Sequence, residues 1–424
     1  VTEYLNETVF TWGGVPLKFG AGAVDEIGFD LAATGAHRVL VVTDAGLVRT
    51  GVPDRVADAA TAAGLTVETY DGVHVEPTDA SLTEAVEFAR QGEWDGFIGV
   101  GGGSAIDTAK AVNLLTTYPG ELTEYLNRPI GEGKAPPGPL KPLVAVPTTA
   151  GTGSESTPVC VLDLLGHKVK TGISHPRLRP TLAVVDPLLT LTLPPAVTAA
   201  SGMDVLCHAL ESYTAKPYSA FPRHTAETRV AYCGANPISD VWAEQSLRLL
   251  GKSLRTAVLS GRHLAARTDV MLAATFAGMG FGNAGVHIPH ACGYPIAGMV
   301  RDYVPEGYPP EPLVPHGQSV SLTAPAAFRF TFPTDPNRHL RAAELLASDA
   351  PRPTDPRERL PAVLAELMRD IGIPNGLGAV GYTEADTDQL VAGALKQQRL
   401  LGVAPRPVTA DDLAAIFRES MVTW

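Results

Sequence analysis

Between Arg38 and Leu115 the chain changes its hydrophobic period again and again, and that alternation restricts the fold more than any other feature. "RVLVVTDAG" (38–46), "TVETYDGV" (66–73) and "DGFIGV" (95–100) are short and rich in β-branched residues. Between them lie "VPDRVADAATAAGL" (52–65), with Pro53 near its start and alanines in its body, and "DASLTEAVEFARQG" (79–92). Strands separated by helix-length stretches pair in parallel, because each return to the same sheet edge needs a crossover. The expectation is an α/β domain built on a parallel sheet.

The third strand runs straight into "GGGSAIDTAKAVNLL" (101–115). Gly101, Gly102 and Gly103 let a ligand approach the backbone closely, and the helix that follows offers unpaired N–H groups to an anion. Ser104 adds a hydroxyl donor. A pyrophosphate suits such a turn, although the pattern is neither a Walker A loop nor the usual GxGxxG. Asp44 follows the first strand at the carboxyl edge, where open α/β sheets bind ligands. A carboxylate there accepts from a ribose hydroxyl and repels a 2′-phosphate, which favours NAD over NADP; the plain alternative is a turn aspartate. "KPLVAVPTTAGTGSE" (141–155) is a further strand that opens into Thr148 and Thr149, hydroxyls placed to line the same ligand or simply a loop.

After "VVDPLLTLTLPPAV" (184–197) the strand signals fade and long helical stretches take over. Two domains are expected, an α/β domain over 1–195 and a mostly helical one over 196–424. In the second, "SGMDVLCHALESYTA" (201–215) sets Asp204 and His208 four residues apart on one helix face, within reach of a single ion. "HIPHACGYPIAG" (287–298) and "LVPHGQS" (313–319) offer His287, His290 and His316 as partners. Spacing alone leaves both His287 and His290 open, and a buried histidine is otherwise an ordinary hydrogen-bonded core residue. His316 reads as the opening of a helix that continues through "SVSLTAPAAF". One aspartate with imidazoles and no thiolate suits Fe(II) or Zn(II).

Composition removes several functional classes. With 45% hydrophobic and 18% charged residues the chain can build large cores. A net charge of −12 and no long basic run disfavour nucleic acid and anionic membrane as partners. No apolar run reaches the roughly 18 residues of a membrane span. Cys160, Cys207, Cys233 and Cys292 form no CxxC pair and suit a reducing compartment. The acidic start "VTEYLNETVF" has the pattern of neither a secretory signal nor a transit peptide, so the expected compartment is the cytoplasm.

Read in order, "GGGSAIDTAK", "VPTTAGTGSES", "SGMDVLCHALESYTA", "GFGNAGVHIPHACGYPIAG" and "LVPHGQSVSL" resemble the motifs of the iron-containing alcohol dehydrogenase family. Within it, "VEPTDASLTEAVEFARQGEWDGFIGVGGGSAIDTAKAVNL", "GANPISDVW" and "GVAPRPVTADDLAAIFRESM" are most similar to the hydroxyacid–oxoacid transhydrogenase branch. The resemblance implies a dinucleotide-binding α/β domain, an all-α metal-binding domain and an active site in the cleft between them. It implies metal ligands at Asp204, His208, His290 and His316, leaving His287 outside the set. It implies NAD contacts at Asp44, Gly101, Gly102, Gly103, Ser104, Thr148, Thr149 and Lys170, and a homodimer, for which "VPLKFGAGAVDEIG" (15–28) can supply an edge strand.

Two positions depart from the family pattern. Tyr294 stands where many members carry a second histidine associated with proton relay, so a relay falls to Tyr294, His287 or water. Ala291 and Cys292 replace residues usual beside the third ligand, which bears on the substrate pocket. The expected activity is hydride transfer between a small alcohol or hydroxyacid and a carbonyl compound. The alternative is an ordinary dehydrogenase or aldehyde reductase acting on an acidic aldehyde, and a remote one is a dehydroquinate synthase-like lyase. Arg301, Lys168, Arg177 and Arg179 are the candidate groups for a substrate carboxylate, each also readable as a surface charge.

Overall fold

The computed structural model describes residues 6–167, 169–226, 228–230, 232–346 and 353–424. They form two compact units, one of residues 13–190 and one that joins residues 6–12 to 191–424.

The first unit is an α/β sandwich. Its strands are β1 (Leu17–Phe19), β2 (Arg38–Val42), β3 (Thr66–Tyr70), β4 (Gly96–Gly101), β5 (Leu143–Pro147) and, later in the chain, β8 (Leu182–Val185). All six pair in parallel, in the order β1-β8-β5-β4-β2-β3. The helices are α1 (Ile27–Ala33), α2 (Ala45–Val48), α3 (Val52–Ala62), α4 (Asp79–Ala89), α5 (Gly103–Thr117) and α6 (Leu122–Tyr125). Successive residues of a strand point to opposite faces, and both faces here are covered. Val39 and Val41 of β2 enter one core with Val56 and Ala60, while Leu40 and Val42 enter the other with Leu82 and Ala109. A strand buried on both sides has no polar face, which is why the inner strands β2, β4 and β5 are apolar nearly throughout, whereas the edge strand β3 is not.

The chain builds outward from β2 to β3, then crosses back to β4 and continues the other way. The strand order therefore reverses between β2 and β4, and the residues just beyond those two carboxyl ends flank the crevice where such sheets take ligands. Asp44 follows β2, and the Gly101–Ser104 turn follows β4. A hairpin of antiparallel strands, β6 (Val159–Leu164) and β7 (Val169–Ser174), lies outside this sheet.

The second unit is helical: α7 (Pro195–Thr214), α8 (Pro237–Leu259), α9 (Leu264–Ala284), α10 (Ile288–Gly298), α11 (His316–Ser321), α12 (Ala324–Thr331) and further helices as far as Glu419. The helix expected to run unbroken from His316 stops at Ser321 and restarts at Ala324. Pro325 explains the break, because it has no N–H to donate to the carbonyl four residues back and its ring crowds that turn. Among the described residues no helix is long and apolar enough to cross a membrane.

Candidate metal centre and nucleotide-binding turn

In the α/β unit, Gly101 has φ of 150°, and a Cβ on it would stand 2.7 Å from the Ala105 methyl. Only glycine lets β4 pass this tightly into α5, and the same missing Cβ would lie 3.8 Å from Asp44 Oδ2. Asp44 caps α2, its Oδ1 accepting the Leu47 N–H at 2.9 Å. Thr148 donates its N–H to the Gly101 carbonyl at 3.0 Å, and a side chain at Gly102 would meet Thr149. The structure thus gathers Asp44, the Gly101–Ser104 turn, Thr148 and Thr149 around one switch point.

Ser104 Oγ accepts the Glu76 N–H at 3.1 Å. Lys170 reaches the same loop from β7, its Nζ 2.6 Å from Glu76 Oε2 and 2.9 Å from Asp163 Oδ2. Burial alone would lower the Lys170 pKa, but the two carboxylates outweigh it and push it up, so the ammonium is firmly charged.

Below the turn, Lys110 is completely buried and fully partnered. Its three ammonium hydrogens have four acceptors in reach, Val159 O at 2.6 Å, Ser154 Oγ at 2.8 Å, Asp107 Oδ1 at 3.1 Å and, farthest, Thr157 Oγ1 at 3.3 Å. Asp107 also accepts from the Ser154 hydroxyl and, at 2.9 Å, from the Val161 N–H. One buried ion pair so ties α5 to the loop that carries Thr148 and Thr149.

In the helical unit, Asp204 and His208 share one face of α7, as their spacing predicts. Asp204 Oδ1 lies 3.5 Å from His290 Nε2, 3.7 Å from His208 Nε2 and 3.9 Å from His316 Nε2. The ligand atoms offered by Asp204, His290 and His316 all fall within 4.8 Å of one another. These separations are long for hydrogen bonds. They are near the spacing of about 3.4 Å expected between donors around a tetrahedral ion at about 2.1 Å. Asp204 Oδ1 and His290 Nε2 are buried without a hydrogen-bond partner among the described residues. Buried polar atoms are normally partnered, so this pair fits a divalent cation. The donor set is oxygen and nitrogen only, which suits Fe(II) or Zn(II).

The electrostatics agree. Burial would raise the Asp204 pKa, yet His208, His316 and His290 around it hold the carboxyl well below its usual range. Burial depresses His208 to about 3, keeping the ring neutral and its nitrogen lone pair available. Burial also opposes charge on His290, but Glu211 and Asp204 prevail and raise it to about 9, so without an ion this ring holds a proton that a bound cation would displace. The walls are aromatic: Phe281 stacks on His208 at 3.9 Å between ring centroids, and Tyr294 stacks on His316 at 5.9 Å.

Close helix contacts create this convergence. A Cβ at Gly317 would sit 1.9 Å from the Ala200 carbonyl oxygen and 2.9 Å from Asp204 Cβ. The next residue after His316 therefore lies directly on α7. Gly293 plays the same part between α10 and α11, where a Cβ would come within 2.8 Å of Val320.

His287 is sealed elsewhere. Its ring is fully buried, with Nε2 3.1 Å from Thr214 Oγ1, and burial lowers its pKa to about 4. Glu211, which sequence reading passed over, meets His290 Nδ1 at 2.6 Å through Oε1 and is fully buried. It stands seven residues after Asp204, on the same face of α7, and that i, i+7 spacing was its signal. The candidate carboxylate binders are engaged within the chain: Arg301 with Asp386, Arg177 with the Pro136 carbonyl and Arg179 with the Ser156 carbonyl at 3.1 Å. Lys168 lies outside the described residues. The four cysteines form no disulfide, and all but the half-buried Cys233 are buried.

A parallel sheet with a glycine turn at its switch point, together with a buried aspartate–histidine group on helices, is the framework of a metal-dependent enzyme. The sequence profile described as "Iron-containing alcohol dehydrogenase" matches residues 16–187, and "Fe-containing alcohol dehydrogenase family, C-terminal" matches 198–421. The chain belongs to the iron-containing alcohol dehydrogenase family and is an oxidoreductase of that family. It is 48% identical over 413 residues to the mitochondrial hydroxyacid-oxoacid transhydrogenase of Bos taurus, covering 96% of this chain and 88% of the relative. A crystal structure of 1,3-propanediol oxidoreductase is similar with a TM-score of 0.85 and 32% identity, over 97% of this chain and 100% of that one. Sulfoacetaldehyde reductase from Bifidobacterium kashiwanohense, solved in complex with NAD+, is similar with a TM-score of 0.82 and 27% identity, over 98% and 99%.

The expectation of a cytoplasmic protein is corrected by these relatives. The Bos taurus, Homo sapiens and Dictyostelium discoideum transhydrogenases are all mitochondrial by name. The expectation had rested on unpaired cysteines, which fit any reducing compartment, and on the first residues, which carry no information about compartment.

Proposed function

We propose that this chain is an NAD-dependent hydroxyacid–oxoacid transhydrogenase, oxidising a small hydroxyacid such as 4-hydroxybutyrate while reducing a 2-oxoacid such as 2-oxoglutarate. The observation that carries this reading is the convergence of three imidazoles on one buried carboxylate oxygen, in a chain 48% identical to a transhydrogenase. Asp204, His208, His290 and His316 would hold Fe(II), or Zn(II) in the same donor set. Asp44, Gly101, Gly102, Gly103, Ser104, Thr148, Thr149 and Lys170 would hold NAD. Bound there, the ion supplies Lewis acidity toward a hydroxyl or carbonyl oxygen and the nicotinamide supplies the hydride acceptor.

The chain's own residues do the rest. The turn at 101–104 offers main-chain N–H groups to a pyrophosphate, and Asp44 offers a carboxylate oxygen to a ribose hydroxyl. Asp204 brings a negative charge to a site otherwise lined by imidazoles and aromatic rings. Phe281 closes the His208 ring off from water, while Tyr294 stacks on His316, which stays partly open. For the substrate proton, Tyr294 or water is preferred to His287, a choice supported by Tyr294 being half-buried on His316 and His287 being sealed against Thr214. A homodimer belongs to the same reading, supported by β1 standing at the end of the sheet order, and light scattering on the purified protein tests it.

A second reading, an ordinary dehydrogenase that exchanges NADH, is favoured by the likeness to 1,3-propanediol oxidoreductase. Protein reconstituted anaerobically with Fe(II) and given 4-hydroxybutyrate separates the two. Product with 2-oxoglutarate and no added cofactor supports the transhydrogenase. NADH accumulating with added NAD, and nothing in the other tube, supports the dehydrogenase.

A further inference from the structure

Glu211 is a buried acid with both carboxylate oxygens spent on the helix that carries His290. Its Oε1 accepts from His290 Nδ1 at 2.6 Å, and its Oε2 accepts the main-chain N–H of His287 at 2.6 Å, with the His290 N–H at 3.4 Å. Those N–H groups belong to the start of α10, where no intrahelical acceptor exists, and the His287 side chain makes no cap there. A carboxylate from α7 fills that place. We propose that Glu211 is the positioning residue of the metal centre, clamping the imidazole of His290 and the first turn of α10 onto α7 so that Nε2 faces Asp204.

An ionised carboxylate only accepts hydrogen bonds, so the Nδ1 it touches carries the hydrogen. In the neutral ring that an ion requires, the lone pair is then left on Nε2, the atom 3.5 Å from Asp204 Oδ1. The ring is held in plane by one short contact, and its backbone is held by the other oxygen of the same acid. Asp204, His208 and Glu211 share one face of α7, so a single helix carries two of the donors and the clamp for a third. Outer carboxylates of this kind also raise the basicity of the imidazole they hold. Glu211 touches neither ion nor substrate in this arrangement and acts through His290.

This inference rests on the metal-dependent reading of the site, and the test separates the two. Co(II) binding is measured on the metal-free, full-length chain by competition with a chelating dye, and the visible spectrum of the Co(II) form is recorded. Glu211→Gln keeps the shape but presents an amide whose N–H2 can face Nδ1, moving the hydrogen to Nε2. It is expected to weaken Co(II) binding by about 10–100-fold and to shift the Co(II) absorption. In a His290→Ala background the same change is expected to cost no further affinity, because the route through the ring is gone. Should Glu211→Gln fail to accumulate folded, Glu211→Asp keeps the charge, withdraws the carboxylate by one methylene and is expected to lose affinity in the same direction. Wild-type affinity and spectrum in a folded variant, with only the melting temperature lowered, would make Glu211 a helix cap and overturn the proposal. A wild-type chain that takes up no Co(II) would overturn the metal reading itself.

Discussion

His290 sits at the centre of the candidate metal group in the helical unit. Its ring faces Asp204 on one side and Glu211 on the other, and it packs against both other candidate imidazoles, 4.6 Å from the His208 centroid and 5.4 Å from that of His316. His290→Ala is expected to reduce divalent-ion affinity by more than the 10–100-fold typical of an outer partner, as read by metal content after dialysis. It also leaves Glu211 with a buried oxygen lacking its strongest donor, which costs about 1–3 kcal/mol in the metal-free chain, as read by urea unfolding. A variant that kept its metal would remove His290 from the ligand set. Legibility at this scale followed spacing. Asp204 and His208 were readable because four residues is one helical turn. The choice between His287 and His290 came from family resemblance and not from spacing, because it depends on which way each ring turns at the start of α10, where Thr214 takes one and Glu211 the other.

Helix contacts carry the next set of consequences, since the candidate ligands come from three separate elements. Gly317→Ala puts a methyl where the Ala200 carbonyl already sits, with backbone on the far side that cannot swing away. Separation of α11 from α7 is expected, with a loss of about 1–3 kcal/mol in unfolding free energy and weaker metal binding because His316 moves with α11. Unchanged stability and metal content would show that α11 rides freely on α7. In the α/β unit, Lys110→Met removes a buried ammonium and strands Asp107. The expected loss is about 3–5 kcal/mol, the usual effect of breaking a buried pair from one side, measured by denaturant unfolding. A loss below 1 kcal/mol would mean that water reaches Asp107 and the tether is not dry. The alternation of strands and helices was legible because burial on both faces leaves long apolar runs. The β6–β7 hairpin was not, since Val159–Leu164 is apolar nearly throughout while Val169–Ser174 mixes Lys170, Thr171 and Gly172 into its partner strand. The tether was hidden for a different reason: Lys110 and Ser154 are 44 residues apart, and only the fold shows that they meet.

On the scale of the whole chain, the path begins in the helical unit, leaves it at Gly13 to build the α/β unit, and returns at Leu191. Residues 6–12 are fastened to the helical unit by a few specific contacts. Trp12 donates its indole N–H to the Met279 carbonyl at 3.2 Å and stacks near Trp242, and Phe10 meets Tyr218. Glu7 holds the far end, its carboxylate accepting from the N–H groups of Thr8 and Val9 and, across the chain, from His224 and Arg229. No local pattern announces such a strap, because its anchors are single residues whose partners lie more than 200 positions away. The Val9 N–H, with those of His224 and Thr8 and the Arg229 guanidinium, outweighs burial and lowers the Glu7 pKa to about 2. A depressed carboxyl stabilises the folded form fully above its unfolded value of about 4.5, and that contribution is lost as pH falls through the folded value. Protection of residues 6–12 against hydrogen exchange, taken relative to the intrinsic rate at each pH, is therefore expected to stay high at pH 5 and to fall as the pH drops from 4.5 towards 2. Glu7→Gln removes the titrating charge, so its strap is expected to be less protected than wild type at pH 5 and its protection to change little on acidification. If the wild-type strap loosened only together with α7 and α8, acid would be unfolding the helical unit as a whole and Glu7 would not be the group that holds it.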